Sequence, residues 1–260
     1  MRVCIIGSGK VATHLALRLF EKGVVIVQVF SRSIEHASTL AKLVQSKPIN
    51  DYMDLAKGQD LYILAVSDNA IEPVAQKMQE VLGSQHAFVV HTSGATPGSI
   101  LKEHFNRCGV FYPLQTFSKE VEPEWETIPI CIDASNIADV HSLQELGKKC
   151  SNTVVRISDD QRAALHVAAV FANNFTNHML HLSWLIAKEH GVDFSILMPL
   201  IKETIRKVGD NNPGDMQTGP ALREDDNTIA AHLELLANHP DIQLVYEVLS
   251  KSILQQKHKK

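Results

Sequence analysis

Residues Gly7-Ser8-Gly9-Lys10-Val11-Ala12 follow the pattern G-x-G-x-x-A directly after a short apolar run. A first glycine permits a tight turn, and a second lets the backbone approach a pyrophosphate. The small sixth residue lets the next helix pack closely on the strand. The helix start adds free N–H groups and the positive end of its dipole, so the run suits an anion. A bare strand-to-helix turn can carry the same glycines. Placement after a first strand and at the head of a helix is the context that dinucleotide binding requires. Gly7, Ser8, Gly9, Lys10 and Val11 are therefore candidate cofactor contacts.

A second group decides which dinucleotide. NAD-preferring sites place Asp or Glu at the end of the second strand, to bond the ribose 2′-hydroxyl. Here that position reads Ser31-Arg32-Ser33, with Glu35 too late for that role. Arg32 can pair with a 2′-phosphate or stack on adenine, and both hydroxyls can donate, which points to NADP. The other reading is a polar strand end with a surface arginine.

Three further strand ends carry polar residues: Val66-Ser67-Asp68, His91-Thr92-Ser93-Gly94, and Pro113 with Gln115. Val66, Ser67 and Thr92 would border the cofactor, unless Ser67 and Asp68 only cap a helix. In "LHVAAVFANNFTNHML", His166, Asn173 and Asn177 recur at spacings of seven and four, which predicts one helix face. A polar line in an apolar helix must face water, an interface or a cleft. Imidazole transfers protons near neutral pH, so His166 and then His91 are the candidate proton donors. Asn173 and Ser93 are their candidate hydrogen-bonding partners. No carboxylate or cysteine accompanies His166 and His178 at ligand spacing, so no metal is expected.

These groups need a scaffold that brings strand ends together. Apolar runs at 2–7, 24–30, 60–66, 86–92, 109–114, 128–133 and 153–157 read as strands. Helical patterns near 10–22, 34–45, 69–82 and 136–149 fall between them. This alternation predicts an α/β, Rossmann-type doubly wound parallel sheet over residues 1–157. Residues 158–260 show no strand signal, and an all-helical domain is expected there. It should hold one helix over 159–190, another over 193–209 kinked at Pro199, and two more that break at 238–241.

Bulk properties fit such a protein. The 260 residues allow one large or two ordinary domains, and 45% are hydrophobic. Twenty-five basic against 29 acidic residues leave a net charge of −4, which gives no electrostatic reason to expect nucleic acid. The terminal "KHKK" reads as a solvated tail. No stretch approaches the roughly 20 apolar residues of a membrane span. Cys4, Cys108, Cys131 and Cys150 are widely spaced and read as buried thiols, so a cytoplasmic location is expected.

The segments "VCIIGSGKVATHLA", "SRS", "LAVSDNAI", "HTSGATP", "YPLQTFS", "FANNFTNHM" and "QTGPALREDD" occur in this order along the chain. The sequence thereby resembles the Rossmann-like proteins with a DUF2520 C-terminal domain, over nearly its whole length. It is more distantly similar to pyrroline-5-carboxylate reductase, ketopantoate reductase and F420-dependent NADP reductase. The resemblance implies a Rossmann domain, NADP and a helical domain that forms a homodimer, but it supplies no substrate. The leading expectation is hydride transfer between the nicotinamide and a small-molecule carbonyl or imine substrate, held between the "HTSG" loop and the polar helix face. A non-catalytic NADP-binding sensor or scaffold and an F420-linked NADP reductase are the alternatives. Where relatives have TGP-x-x-RGD, this chain has Glu224 in place of the glycine. It also lacks the helix lysine of the hydroxyacid dehydrogenases.

Overall fold

The computed structural model describes residues 1–118 and 121–258, leaving the last two lysines of the terminal tail outside the described residues. The N-terminal half alternates β1 (Arg2–Ile6), α1 (Lys10–Glu21), β2 (Val25–Phe30), α2 (Ile34–Leu43), β3 (Lys47–Ile49), β4 (Leu61–Leu64) and α3 (Asp68–Leu82). It continues with β5 (Phe88–His91), β6 (Arg107–Pro113), β7 (Ile130–Ala134), α4 (Ile137–Cys150) and β8 (Val154–Arg156). The strands form one sheet in the order β3-β2-β1-β4-β5-β6-β7-β8.

Strands β1, β4 and β5 are buried at nearly every position because helices cover both faces of the sheet. One face packs Val3, Ile5, Ile63 and Val90 against Ala12, Leu15, Ala16 and Leu19 of α1. The opposite face packs Cys4, Ile6, Tyr62 and Leu64 against Ile71, Ala75 and Met78 of α3. The i, i+3, i+4, i+7 spacing on α1 is what turns its apolar stripe to the sheet. Complete burial of each leucine contributes roughly 1.5–3 kcal/mol.

The sheet departs from the expected all-parallel arrangement at one place. β7 runs antiparallel to β6, with Gly109 opposite Ala134 and Pro113 opposite Ile130. The physical reason is visible in the chain: among the described residues between them a short 3-10 turn (Trp125–Thr127) is present and no crossover helix returns the chain. The short β3, which lies in an unassigned segment of the sequence reading, forms one sheet margin and contains Pro48. At the other margin Arg156 of β8 pairs with Asp133 at 2.9 Å.

The first compact unit runs from Met1 to Asn173 and takes in α5 (Asp159–Ala169), and the second runs from Asn174 to Lys260. α5 is therefore packed with the sheet, although its composition matches the helices after it. Its start is fixed by a capping box between Ser158 and Gln161. Arg162, 1% exposed, bonds Asp159 and the Thr96 carbonyl, while Asp159 accepts from the Gly98 amide at 3.0 Å. Partial burial works to raise the Asp159 carboxyl, but the Gly98 amide and Arg162 outweigh it and hold it below the usual carboxylate range.

The expected helix over 159–190 is interrupted. A π-helical stretch, Val170–Phe175, separates α5 from α6 (Thr176–Glu189). The second unit contains α6, α7 (Met198–Asp210), α8 (Pro220–Arg223), α9 (Asp226–Leu235) and α10 (Pro240–Lys257). Pro199 lies in the first turn of α7 and produces no kink, because a first-turn proline lacks only an N–H that would be unbonded anyway. Leu182, Leu236 and Ile242 centre a small core there. Glu224 adopts the left-handed conformation (φ 58°) at the end of α8, which is why the position suits glycine, and its carboxylate bonds Lys257 at 2.6 Å.

A Cβ at Gly109 would collide with the Asp133 carbonyl of the antiparallel partner strand. Gly109→Ala should therefore destabilise the protein by roughly 1–3 kcal/mol. Thermal unfolding should show a fall of several degrees, and an unchanged midpoint would mean that the two strands part without strain.

Candidate active site

In open α/β sheets ligands bind at the switch point where neighbouring strands are crossed in opposite directions. Here that point lies between β1 and β4. Gly7, which follows β1, has φ +128°, and a Cβ on it would strike the Ala65 carbonyl at the end of β4. Only glycine fits, for reasons of both torsion and space. The Gly7 amide donates to the Phe30 carbonyl at 2.8 Å, and Ser8 Oγ donates to Ser31 Oγ at 2.9 Å. The turn is thus tied to the end of β2.

Above it opens a cavity of about 880 Å³ within the first unit. Gly7, Ser8, Gly9, Lys10, Val11, Ser31, Arg32, Val66, Ser67, Thr92, Ser93 and His166 all line it. Helix α1 starts there with no capping side chain and no acidic residue in its first turn. A Cβ at Gly9 would meet open space, as a glycine facing a ligand requires. Among the described residues Arg32 forms no hydrogen bond or ion pair. Uncapped amides, an open glycine and an unengaged arginine fit the diphosphate and 2′-phosphate of NADP. Ser67 stands at the N-cap position of α3, yet its side chain makes no capping bond and faces the cavity.

Three residues in the sequence reading lie elsewhere. Ser33 caps α2, accepting from the His36 amide, and its hydroxyl donates to Glu35. Asn173 is exposed, lies in the π-helical stretch and does not line the cavity. The wide turn breaks the 3.6-residue period on which the shared face with His166 depends. His91 is fully buried beneath the cavity floor. Its Nδ1 accepts from the Ser93 amide at 3.2 Å, while Nε2 has no hydrogen-bond partner among the described residues. Burial, then the nearby Arg162 charge, pushes its pKa down to about 4. A neutral, enclosed imidazole is no proton donor near pH 7, and the role it fits is support of the turn above it.

That turn is tightly organised. Ser93 Oγ accepts from the amides of Ala95 and Thr96, and Arg162 bonds the Thr96 carbonyl. Gly94 is pressed against a pair of side chains that no spacing in the sequence connects. Tyr112 Oη lies 3.2 Å from His166 Nδ1, and a Cβ on Gly94 would come within 2.6 Å of that nitrogen. Tyr112, the next-to-last residue of β6, stands at the cavity wall, and burial raises its phenol above the ordinary value, against a lowering by Arg162. The tyrosine therefore keeps its proton. Tyr112, Tyr52 and Lys77 line the cavity unforeseen. The signal for Tyr112 was its position at a strand end directly before Pro113.

The folded-state pKa of His91 lies below the ordinary 6.5 of an unfolded histidine. As pH falls below about 6.5 the unfolded chain takes up a proton that the folded one refuses until about 4. Stability is full above that window and declines through it, on the order of 3 kcal/mol for this group. His91→Gln should flatten denaturant stability between pH 6.5 and 4, and an unaltered slope would refute the burial argument.

With this geometry known, comparison with other proteins is informative. The family model for coenzyme F420-dependent NADP oxidoreductases matches residues 2–93, and that for DUF2520, a domain of unknown function, matches residues 128–253. A protein of Bacteroides fragilis assigned to the NADP oxidoreductases is 40% identical, with a TM-score of 0.89 over 98% of both chains. An imine reductase of Myxococcus stipitatus, solved with NADP+, is 12% identical with a TM-score of 0.67, covering 100% of this chain and 93% of its own. A pyrroline-5-carboxylate reductase of Coxiella burnetii is 15% identical with a TM-score of 0.60, covering 99% and 97%. The last two share the fold. No curated protein sequence matches the chain. By its identity and coverage with the Bacteroides protein, the chain belongs to the Rossmann-like, DUF2520-containing family of NADP oxidoreductases.

Proposed function

We propose that the protein is an NADP-dependent reductase of a small carbonyl or imine compound, with Tyr112 and His166 handling the proton. The observation that carries this reading is the 3.2 Å contact of Tyr112 Oη with His166 Nδ1, in the same cavity that holds the glycine turn. Bound NADPH supplies a hydride for the electrophilic carbon of the substrate.

The amides after Gly7 hold the diphosphate, and Arg32 takes the 2′-phosphate. Thr92 and Ser93, on the pinned turn, border the reacting end. With the hydrogen on Nδ1, His166 donates to Tyr112 Oη and leaves the phenol hydrogen free for the oxygen or nitrogen of the substrate. As the tyrosine gives up its proton, His166 passes it the Nδ1 proton while its Nε2 takes one from solvent, so the imidazole ends neutral. Gly94 keeps the pair within reach because any side chain there would displace it.

Tyr112→Phe should lower kcat about 10²-fold, the range for loss of a positioned acid, with the Kd for NADPH changed less than about twofold. His166→Gln should do the same. Turnover is found by stereospecific hydride exchange over keto acids, cyclic imines and oxidised F420. Binding of NADPH without exchange on any of them favours a sensor, and exchange with F420 alone favours an F420-linked reductase. Undiminished kcat in Tyr112→Phe removes the proton-donor role.

The chain acts as a homodimer on this reading, supported by exposed Leu200, Ile205, Leu244 and Val248 on the second unit's helices. Light scattering should give twice the mass of one chain. No helix among the described residues is long and apolar enough to cross a membrane. Four buried free cysteines support a reducing, cytoplasmic setting.

A further inference from the structure

The wall of the cavity beside Arg32 holds two residues that the cofactor reading leaves unused, Tyr52 and Lys77. Tyr52 opens a short 3-10 turn after β3, held by Asp51, whose carboxylate accepts from the Met53 amide. Its ring packs on Phe30, at the end of β2, with centroids 4.3 Å apart. Lys77 projects from α3, and its Nζ stands 5.6 Å from the centre of the Tyr52 ring. Arg32 lies near enough that its charge acts on the Tyr52 hydroxyl. One cation thus lies over the Tyr52 ring, and a second, Arg32, lines the same cavity. Among the described residues neither has a carboxylate partner.

Like charges do not line one cavity beside an aromatic ring without a reason. The ring face attracts the ammonium and limits its wandering. A ribose 2′-phosphate carries nearly two charges and three acceptor oxygens, more than one guanidinium satisfies. We propose that Lys77, steadied over Tyr52, is the second cation of the 2′-phosphate subsite and a determinant of NADP over NAD. Arg32, after the end of β2, and Lys77, on α3, would then both hold the phosphate. Tyr52 is a positioning residue that holds Lys77 toward it. This inference rests on the placement of NADP given above.

Adenosine 5′-monophosphate and adenosine 2′,5′-bisphosphate differ only in the 2′-phosphate, so the pair isolates the subsite without any turnover. Calorimetric titration of the full chain should show the bisphosphate bound more tightly than the monophosphate. In Lys77→Gln the bisphosphate and NADPH should weaken about tenfold, the usual size of one lost charge-assisted contact, while the monophosphate and NADH shift less than about twofold. Lys77→Arg should recover most of the loss. Equal weakening of both nucleotides, or no weakening, overturns the role of Lys77 and leaves the NADP reading standing. A wild-type chain that fails to distinguish the two nucleotides overturns both.

Discussion

The contact of Gly7 with the Ala65 carbonyl is the constraint from which the site follows. Two strand ends approach so closely there that no side chain fits between them, and the chain must turn with positive φ. Because the turn is pressed down onto β4, the start of α1 stands over the crevice with its amides unused. Bonds from Gly7 to Phe30 and from Ser8 to Ser31 carry the same register across to β2. Arg32, just after Ser31, thereby comes to line the same cavity as the glycine turn. A looser turn would still bind an anion, but without a fixed distance to the reacting end.

That reacting end depends on a different device. Arg162 is a charge removed from water, and it is tolerable because Asp159 and the Thr96 carbonyl receive it. The arrangement locks α5 to the turn that follows β5, and α5 carries His166. His91 below the turn adds an uncharged brace through the Ser93 amide. The geometry of Tyr112 and His166 is therefore set by groups that do not line the cavity, Arg162, Asp159 and His91. Rigid support of this kind holds the tyrosine and the imidazole at a fixed separation.

Local pattern made the fold largely legible, since strands buried on both faces and helices with a 3.6-residue stripe advertise themselves. The glycine turn was legible because its chemistry is written in consecutive residues. What escaped was nonlocal. Tyr112 reads as one more apolar strand residue until β6 is placed beside the 91–94 turn. Lys77 is one lysine among many on a helix surface until Tyr52 is seen beneath it. His91 looked reactive because a polar residue at a strand end resembles a site, and burial is invisible in a string of letters. The face shared by His166 and Asn173 presumed an unbroken helix, which the π-helical stretch denies. The antiparallel β7 was foreshadowed by the absent crossover helix, a sign easily passed over amid so regular an alternation.

The margins of the sheet carry their own implication. Pro48 sits in the outermost strand on one side, where a missing N–H deprives any incoming strand of a bond. The strand on the other side is three residues long and charged at its end. Such borders discourage strand-by-strand growth into aggregates. A solution crowded with nascent chains offers countless extended segments, and a sheet with blunted sides is poorly suited to recruit them.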